Sequence, residues 1–327
     1  MRVLALNVGS STVKWVVFGE GLCVENHGSL RGGPSAMDDD ALRELVGGVD
    51  RIAHRVVHGG TRRAPARIDA ELLGALDELV PLAPLHLPPA LAMIRRTLAA
   101  TSVPQIACFD TQFHATLPEV AARLPLPDAI AGLGVRRYGF HGLSYEHVRR
   151  SLGTPPPRRV IALHLGAGAS ACAMLDGVSI DTSMGMTPTG GFAMGTRSGD
   201  LDPGVLFHLA RHHGFDVAKL EHLVEHESGL LGIGGTADMR ELLARRADDP
   251  RARLAIDVFV YGVKKTVGAY AAALGGLDVL VFTGGIGEHA AEIRDAITTG
   301  LGFLGEFTVL VVAADEERVM ASYAVAM

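Results

Sequence analysis

The chain has 327 residues, more than one hydrophobic core usually organises, so two domains are expected. With 48% apolar and 20% charged residues it has a soluble, globular composition, and a net charge of −6 without any Lys/Arg block argues against nucleic acid as a partner. Cys23, Cys108 and Cys172 are too few and too scattered for a disulfide framework or a metal site and fit a reducing cytoplasm; no segment approaches the ~20 apolar residues that span a bilayer.

In chain order, Val3–Leu6 and Val13–Phe18 predict two strands around the turn Asn7-Val8-Gly9-Ser10-Ser11-Thr12, and "LCVENHGSL" a third. Ser144 is a candidate cap for a helix over "YEHVRRSL". "GTPPPRR", 153–159, is the most linker-like stretch. Val160–Leu165 then runs into a second glycine turn, "GAG", followed by "SACAML" and "VSIDTS" across Asp176-Gly177, a hairpin signal. Overlaid, Val3 falls on Val160, Asn7 on His164 and Gly9 on Gly166, so the chain reads as an internal duplication. Asp249-Pro250 predicts a helix start and Gly275-Gly276 its end.

The glycine turns match neither common phosphate motif. A P-loop's G-x-x-x-x-G-K-[ST] is absent, and "LHLGAGAS" continues into a strand rather than the helix of a dinucleotide fingerprint. What remains is a duplicated fold in which each half offers a hairpin turn to phosphates. Backbone N–H groups of a glycine turn can cradle anionic oxygens because no side chain blocks the approach.

Further polar blocks are "RIAHRVVHGG", "FDTQFH", "YGFHGLS", "MGMTPTGGFAMGTRSGDLDP", "SGLLGIGGTADMR" and "FTGGIGE". With "LNVGSSTVK" and "LAPLH" they resemble, in order and over nearly the whole chain, the acetate kinase family of the actin-like and sugar-kinase superfamily. The resemblance implies an α/β, duplicated actin-like (ribonuclease H-like) fold, two lobes with a nucleotide cleft between them. The first lobe would hold 1–145, the second 146–313, and the tail 314–327 would pack back on the first.

It also implies roles. Arg55 and Arg197 would hold the transferring phosphoryl group, since each guanidinium offers a fork of donors to spreading charge. Asp110 would lie beside the reacting groups and His141 would assist charge stabilisation, although an N-cap and a core histidine are their bland readings. Asn7 and Glu316 would attend the metal. Val57, Leu85, Phe140 and Pro188 would line a small apolar acceptor pocket; singly, each reads as core. Lys14, Ser10, Ser11, Thr12, His164, Gly166 and Gly168 would serve the phosphates, and Asp238, Met239, Arg240, Gly285 and Ile286 the base and ribose. The implied cofactors are ATP/ADP and Mg²⁺, with Mn²⁺ an alternative. The implied partners are a small carboxylate and a second copy of the chain, with no nucleic acid and no membrane.

Four positions depart from the family pattern. Ala167 stands for an Asn in the second glycine turn, Gly190 for a Glu in "TPLEG", His289 for an Asn after "GIGE", and Tyr145 for a His after "HGLS". The expected reaction is direct in-line phosphoryl transfer from ATP to acetate. A propionate or butyrate kinase, a different donor such as pyrophosphate, and a non-catalytic actin-like nucleotide binder are the alternatives.

Overall fold

The computed structural model describes residues 1–9 and 12–327, so the expectations for Ser10 and Ser11 lie outside the described residues. The chain folds into two compact units: Met1–Ala115 with Phe140–His147 and Asp315–Met327, and Thr116–Gly139 with Val148–Ala314. The C-terminal residues therefore belong to the first unit. Residues 116–139 group with the second, whereas the sequence boundary at 145 assigns them to the first.

The first unit carries a six-stranded sheet built from β1 (Val3–Val8), β2 (Thr12–Phe18), β3 (Val24–Arg31), β4 (Arg51–Val56), β5 (Ala66–Arg67) and β6 (Gln105–Phe109). The order is β3-β2-β1-β4-β6-β5. β1, β2 and β3 form an antiparallel meander, while β4 runs parallel to both β1 and β6. β1 is buried on both faces, and its alternate side chains enter different cores. Val3 and Ala5 pack, with Ala53, against Val319, Met320, Ala321 and Ala324 of the C-terminal helix Glu316–Ala326. Leu4, Leu6 and Val8 pack on the other side with Leu42, Val46 and Met93. Alanines on both partners let the helix approach the sheet closely.

The second unit repeats this plan. β7 (Arg159–Leu165), β8 (Ala169–Leu175) and β9 (Val178–Thr182) form the meander, and β10 (Val279–Thr283) and β11 (Thr308–Val311) add in parallel, in the order β11-β10-β7-β8-β9. Read from the meander inward, both sheets run third, second, first, then the parallel strands, which is the duplication read in the glycine turns. Asp176 and Gly177 both take positive φ (50° and 77°), as a two-residue hairpin requires. The helix Pro250–Leu274 is capped by the Asp249 carboxylate and ends on Gly275 at φ 70°. One expectation needs correcting. The helix Gly142–Ser151 starts two residues before Ser144, which is fully buried inside its first turn rather than capping it. No helix among the described residues is long and apolar enough to cross a membrane.

His54 on β4 is buried and shares its Nε2 with Gln105 Oε1 at 2.8 Å; the Thr97 hydroxyl donates to the same oxygen. Burial pushes this imidazole down from 6.5 to about 4, against the opposing hydrogen bond to Gln105. The folded state thus binds the proton less well than the unfolded one. The neutral-imidazole contribution is complete above about pH 6.5 and is lost as pH falls toward 4. Urea titrations between pH 7 and 4.5 should show the midpoint falling with pH, and less steeply for His54→Gln. Parallel curves for the two proteins would contradict this account.

Candidate active site

In the first unit, three side chains meet at the C-terminal ends of adjacent parallel strands. Asn7 comes from β1, Arg55 from β4, and Asp110 directly follows β6. Ligand sites in open α/β sheets lie at such ends, where the strands stop and loops begin. Asp110 is almost fully buried (1% exposed). It accepts Arg55 Nη2 at 2.6 Å and Nε at 3.1 Å to each carboxylate oxygen. Arg55 Nη1 donates to Asn7 Oδ1 at 3.1 Å, and Asn7 Nδ2 donates to Glu317 Oε1 at 2.9 Å. Burial alone would lower the Arg55 pKa; the charge and hydrogen bonds of Asp110, with Glu316 and Glu317 beyond, more than offset it and hold the guanidinium charged.

Glu316 and Glu317 open the C-terminal helix, whose first turn is capped by the Asp315 carboxylate accepting Arg318 N–H. Burial pushes Glu316 up to about 7; Arg55 and Lys14 oppose the shift, and Glu317 and Asp110 add to it. Lys14 lies opposite Asn7 across the β1–β2 ladder and is exposed, while Thr12 O accepts Gly9 N–H at 2.8 Å. Glu317, which touches Asn7 directly, was not singled out from sequence. The only local signal for it was its place beside Glu316.

Backbone contacts fix the neighbouring loop. Gly142 N–H donates to Asp110 O at 2.9 Å, and a Cβ there would lie 2.0 Å from that oxygen, so only glycine fits. His141, just before it, sits at φ 58°, an uncommon conformation for a residue with a Cβ. Phe140 is buried; His114 bonds its carbonyl at 3.0 Å and His58 meets its ring edge-on at 5.6 Å. Val57 is buried and Leu85 half-buried. Tyr145 is fully buried and packs on the His114 and Phe113 rings, which accounts for an aromatic residue at that departure.

In the second unit, Gly166 N–H donates to Gly168 O at 3.1 Å and closes the second glycine turn. His164 sits on β7 just before it, its Nε2 3.9 Å from where a Gly166 Cβ would be. A cavity of about 580 Å³ opens beside this turn. It is lined by Gly166, Ala167, Asp238, Met239, Arg240, Gly285 and Ile286, and also by Leu243 and His289. Sequence-predicted residues from three separate segments thus line one space, and two of the four departures, Ala167 and His289, face it as well. Gly168 closes the turn without lining the cavity. Asp238 is committed locally: it caps the helix Met239–Arg245 and pairs with Arg240 at 2.7 Å, and those bonds hold it down at about 2.

Arg197 lies on a loop tied to this turn, since Gly195 N–H donates to Ala167 O at 3.0 Å. Its Nη1 donates to Pro188 O at 3.3 Å, and burial pulls its pKa down while Glu225 opposes. Gly229, at φ 61°, would place a Cβ 2.1 Å from Met194 O, so the loop packs on a glycine that cannot be replaced. The second unit thus holds an arginine loop, a glycine turn and a cavity, and the first unit holds an arginine–carboxylate clamp.

The acetokinase family model matches residues 23–323. The chain belongs to the acetokinase family. It is 42% identical over 347 aligned positions to an acetate kinase of Rhodopseudomonas palustris, covering 93% of this chain and 87% of that one. Its fold superposes on the acetate kinase of Porphyromonas gingivalis (TM-score 0.90, 34% identity, 99% of each chain). It also superposes on a propionate kinase of Francisella tularensis (TM-score 0.93, 34% identity, 100% and 99%). The repeated sheets are accordingly the two halves of the duplicated actin-like fold.

Removing Asp110 leaves a largely buried guanidinium without its counter-charge. Asp110→Ala should lower the unfolding free energy by about 3–5 kcal/mol, read from urea titration. A loss below about 1 kcal/mol would show that the pair is solvated and that Asp110 does not pin Arg55.

Proposed function

We propose that the chain is a kinase that transfers the γ-phosphoryl group of ATP reversibly to acetate, giving acetyl phosphate and ADP. The observation that carries this reading is Arg55: fixed on two sides by Asp110 and Asn7, still 20% exposed at its side chain, and two residues from the buried Val57. A charged fork held rigid beside an apolar wall suits a short carboxylic acid, with the carboxylate on the guanidinium and the methyl group on Val57, Leu85, Phe140 and Pro188. A carboxylate oxygen bonds to the γ-phosphorus as the bond to the bridging oxygen breaks, and ADP leaves with that electron pair. Arg55 and Arg197 donate to the equatorial oxygens as charge spreads over them, and His141 adds a further donor. Because Asp110 and Asn7 already fix Arg55, that donor needs little reorganisation at the moment of transfer.

The donor set of Glu316, Glu317 and Asn7 supplies only oxygens for a cation, which fits a hard divalent ion that keeps most of its waters and takes phosphate oxygens for the rest. Such an ion, Mg²⁺ or Mn²⁺, would be held by Glu316 with Asn7 and Asp110 close by, and would supply charge neutralisation to the β- and γ-phosphates. The cavity by Gly166 would take the base and ribose, with Asp238 and Arg240 at its mouth and Gly285 and Ile286 on its wall; Lys14, Thr12, His164 and Gly168 would attend the phosphates. Three free cysteines support a cytoplasmic setting. Leu254, Val258 and Tyr261, exposed on one face of the helix Pro250–Leu274, support pairing with a second copy.

With acetate, ATP and Mg²⁺, hydroxylamine should trap acetyl hydroxamate in proportion to enzyme. ATP binding without any hydroxamate would favour a non-catalytic nucleotide binder. Arg197→Ala should cut kcat by roughly a thousandfold or more with the fold retained, and a loss below about tenfold would remove Arg197 from the mechanism. Opening the pocket by Val57→Ala should raise the propionate-to-acetate ratio of kcat/KM by roughly tenfold, one methylene being worth about 1–3 kcal/mol. An unchanged ratio would exclude Val57 from the acceptor site.

A further inference from the structure

Besides its tie to the second glycine turn, the arginine loop of the second unit is held by a helix. The helix Val217–His226 presents its C-terminal turn to residues 189–198 through three bonds. Thr189 Oγ1 donates to Glu225 Oε1 at 2.9 Å, Thr196 Oγ1 to Glu225 O at 2.7 Å, and Ser198 N–H to Val224 O at 2.9 Å. One residue, Glu225, therefore grips the loop at two points ahead of Arg197, by its side chain at Thr189 and by its carbonyl at Thr196, while Val224 O holds Ser198 just beyond it. The Glu225 carboxylate also opposes the burial penalty on the Arg197 guanidinium. The next position in the loop, Gly190, brings no side chain of its own, and Asp200 Oδ1 accepts Gly191 N–H at 2.8 Å beside it.

We propose that Glu225 is a positioning residue for Arg197: its carboxylate sets the loop and the direction of the guanidinium, so that Arg197 meets the phosphoryl group without first reorganising. The proposal rests on the reading of Arg197 given above. Pro188 O, which accepts Arg197 Nη1, is one residue from Thr189, so the Glu225–Thr189 bond and the Arg197–Pro188 bond share one short stretch of backbone. Losing the carboxylate charge weakens the electrostatic hold on the guanidinium, and losing the Thr189 bond loosens the stretch. This is a loss of preorganisation, and it falls on kcat more than on KM.

Two substitutions separate the contributions. Glu225→Gln keeps an oxygen to accept from Thr189 but removes the charge; Thr189→Val removes the hydroxyl and keeps the charge. Glu225→Gln should lower kcat roughly tenfold with the KM values for ATP and acetate changed less than about threefold. Its Tm should stay within about 2 °C of the parent, and Thr189→Val should lower kcat by roughly threefold. In an Arg197→Lys background, which keeps a positive charge but no guanidinium, Glu225→Gln should cost less than about twofold, because the group it positions is already gone. Equal losses in both backgrounds, or a kcat within about twofold of the parent for Glu225→Gln alone, would overturn the proposal. If Arg197→Ala itself leaves turnover intact, Arg197 has no part in the mechanism, and this proposal fails with that reading while the kinase activity stands.

Discussion

A charged guanidinium has to be kept rigid and half-desolvated while one face stays available to a ligand, and the Arg55–Asp110 pair meets that constraint. Asp110 spends both oxygens on Arg55 and is itself fixed by its own N–H to Val56 O and by Gly142 N–H on its carbonyl. The requirement reaches outward from there. β4 and β6 must be adjacent and parallel so that their ends carry the two residues side by side. Residue 142 must lack a Cβ, and the C-terminal helix must return from the far end of the chain to set Glu316 and Glu317 beside Asn7. That helix is held by small residues packed on β1 and β4, so the tightness of one core determines where two carboxylates stand.

Local structure was legible in the sequence wherever a local rule governs it. The Asp176-Gly177 hairpin, the Asp249–Gly275 helix and the two strand–glycine-turn–strand runs all follow from chemistry within a few residues. The Ser144 expectation failed because Gly142, chosen for its contact with Asp110, already starts the helix. Residues 116–139 group with the second unit through contacts such as Tyr138 N–H to Gly185 O and the Arg137 guanidinium on Thr182 O, partners more than forty positions apart that no local pattern announces. Glu317 and Glu225 escaped notice for the same reason: each acts on a residue distant in sequence, and a carboxylate in a charged helix turn reads as a solvated face.

The departures from the family pattern sort by place. Tyr145 is a packing substitution inside an aromatic cluster. Ala167 and His289 line one cavity, so the missing amide and the added imidazole alter the same wall. Gly190 lies in the arginine loop, where a Cβ would come within 3.1 Å of Gly185 N and 3.3 Å of Asp200 Oδ1. The clamp around Arg55 carries no departure. Three of the four departures therefore lie in the second unit, two of them on the wall of one cavity.

The central claim is that a carboxylate oxygen becomes bonded to the γ-phosphorus of ATP, with no acyl-nucleotide intermediate on the way. Acetate carrying heavy oxygen, converted with ATP and examined by phosphorus NMR, tests it in one experiment. Direct transfer places the label in the bridge between the acyl carbon and the phosphorus of acetyl phosphate, with ADP as the only nucleotide product. Label appearing in AMP, or an acetyl phosphate whose bridge is unlabelled, would contradict the account.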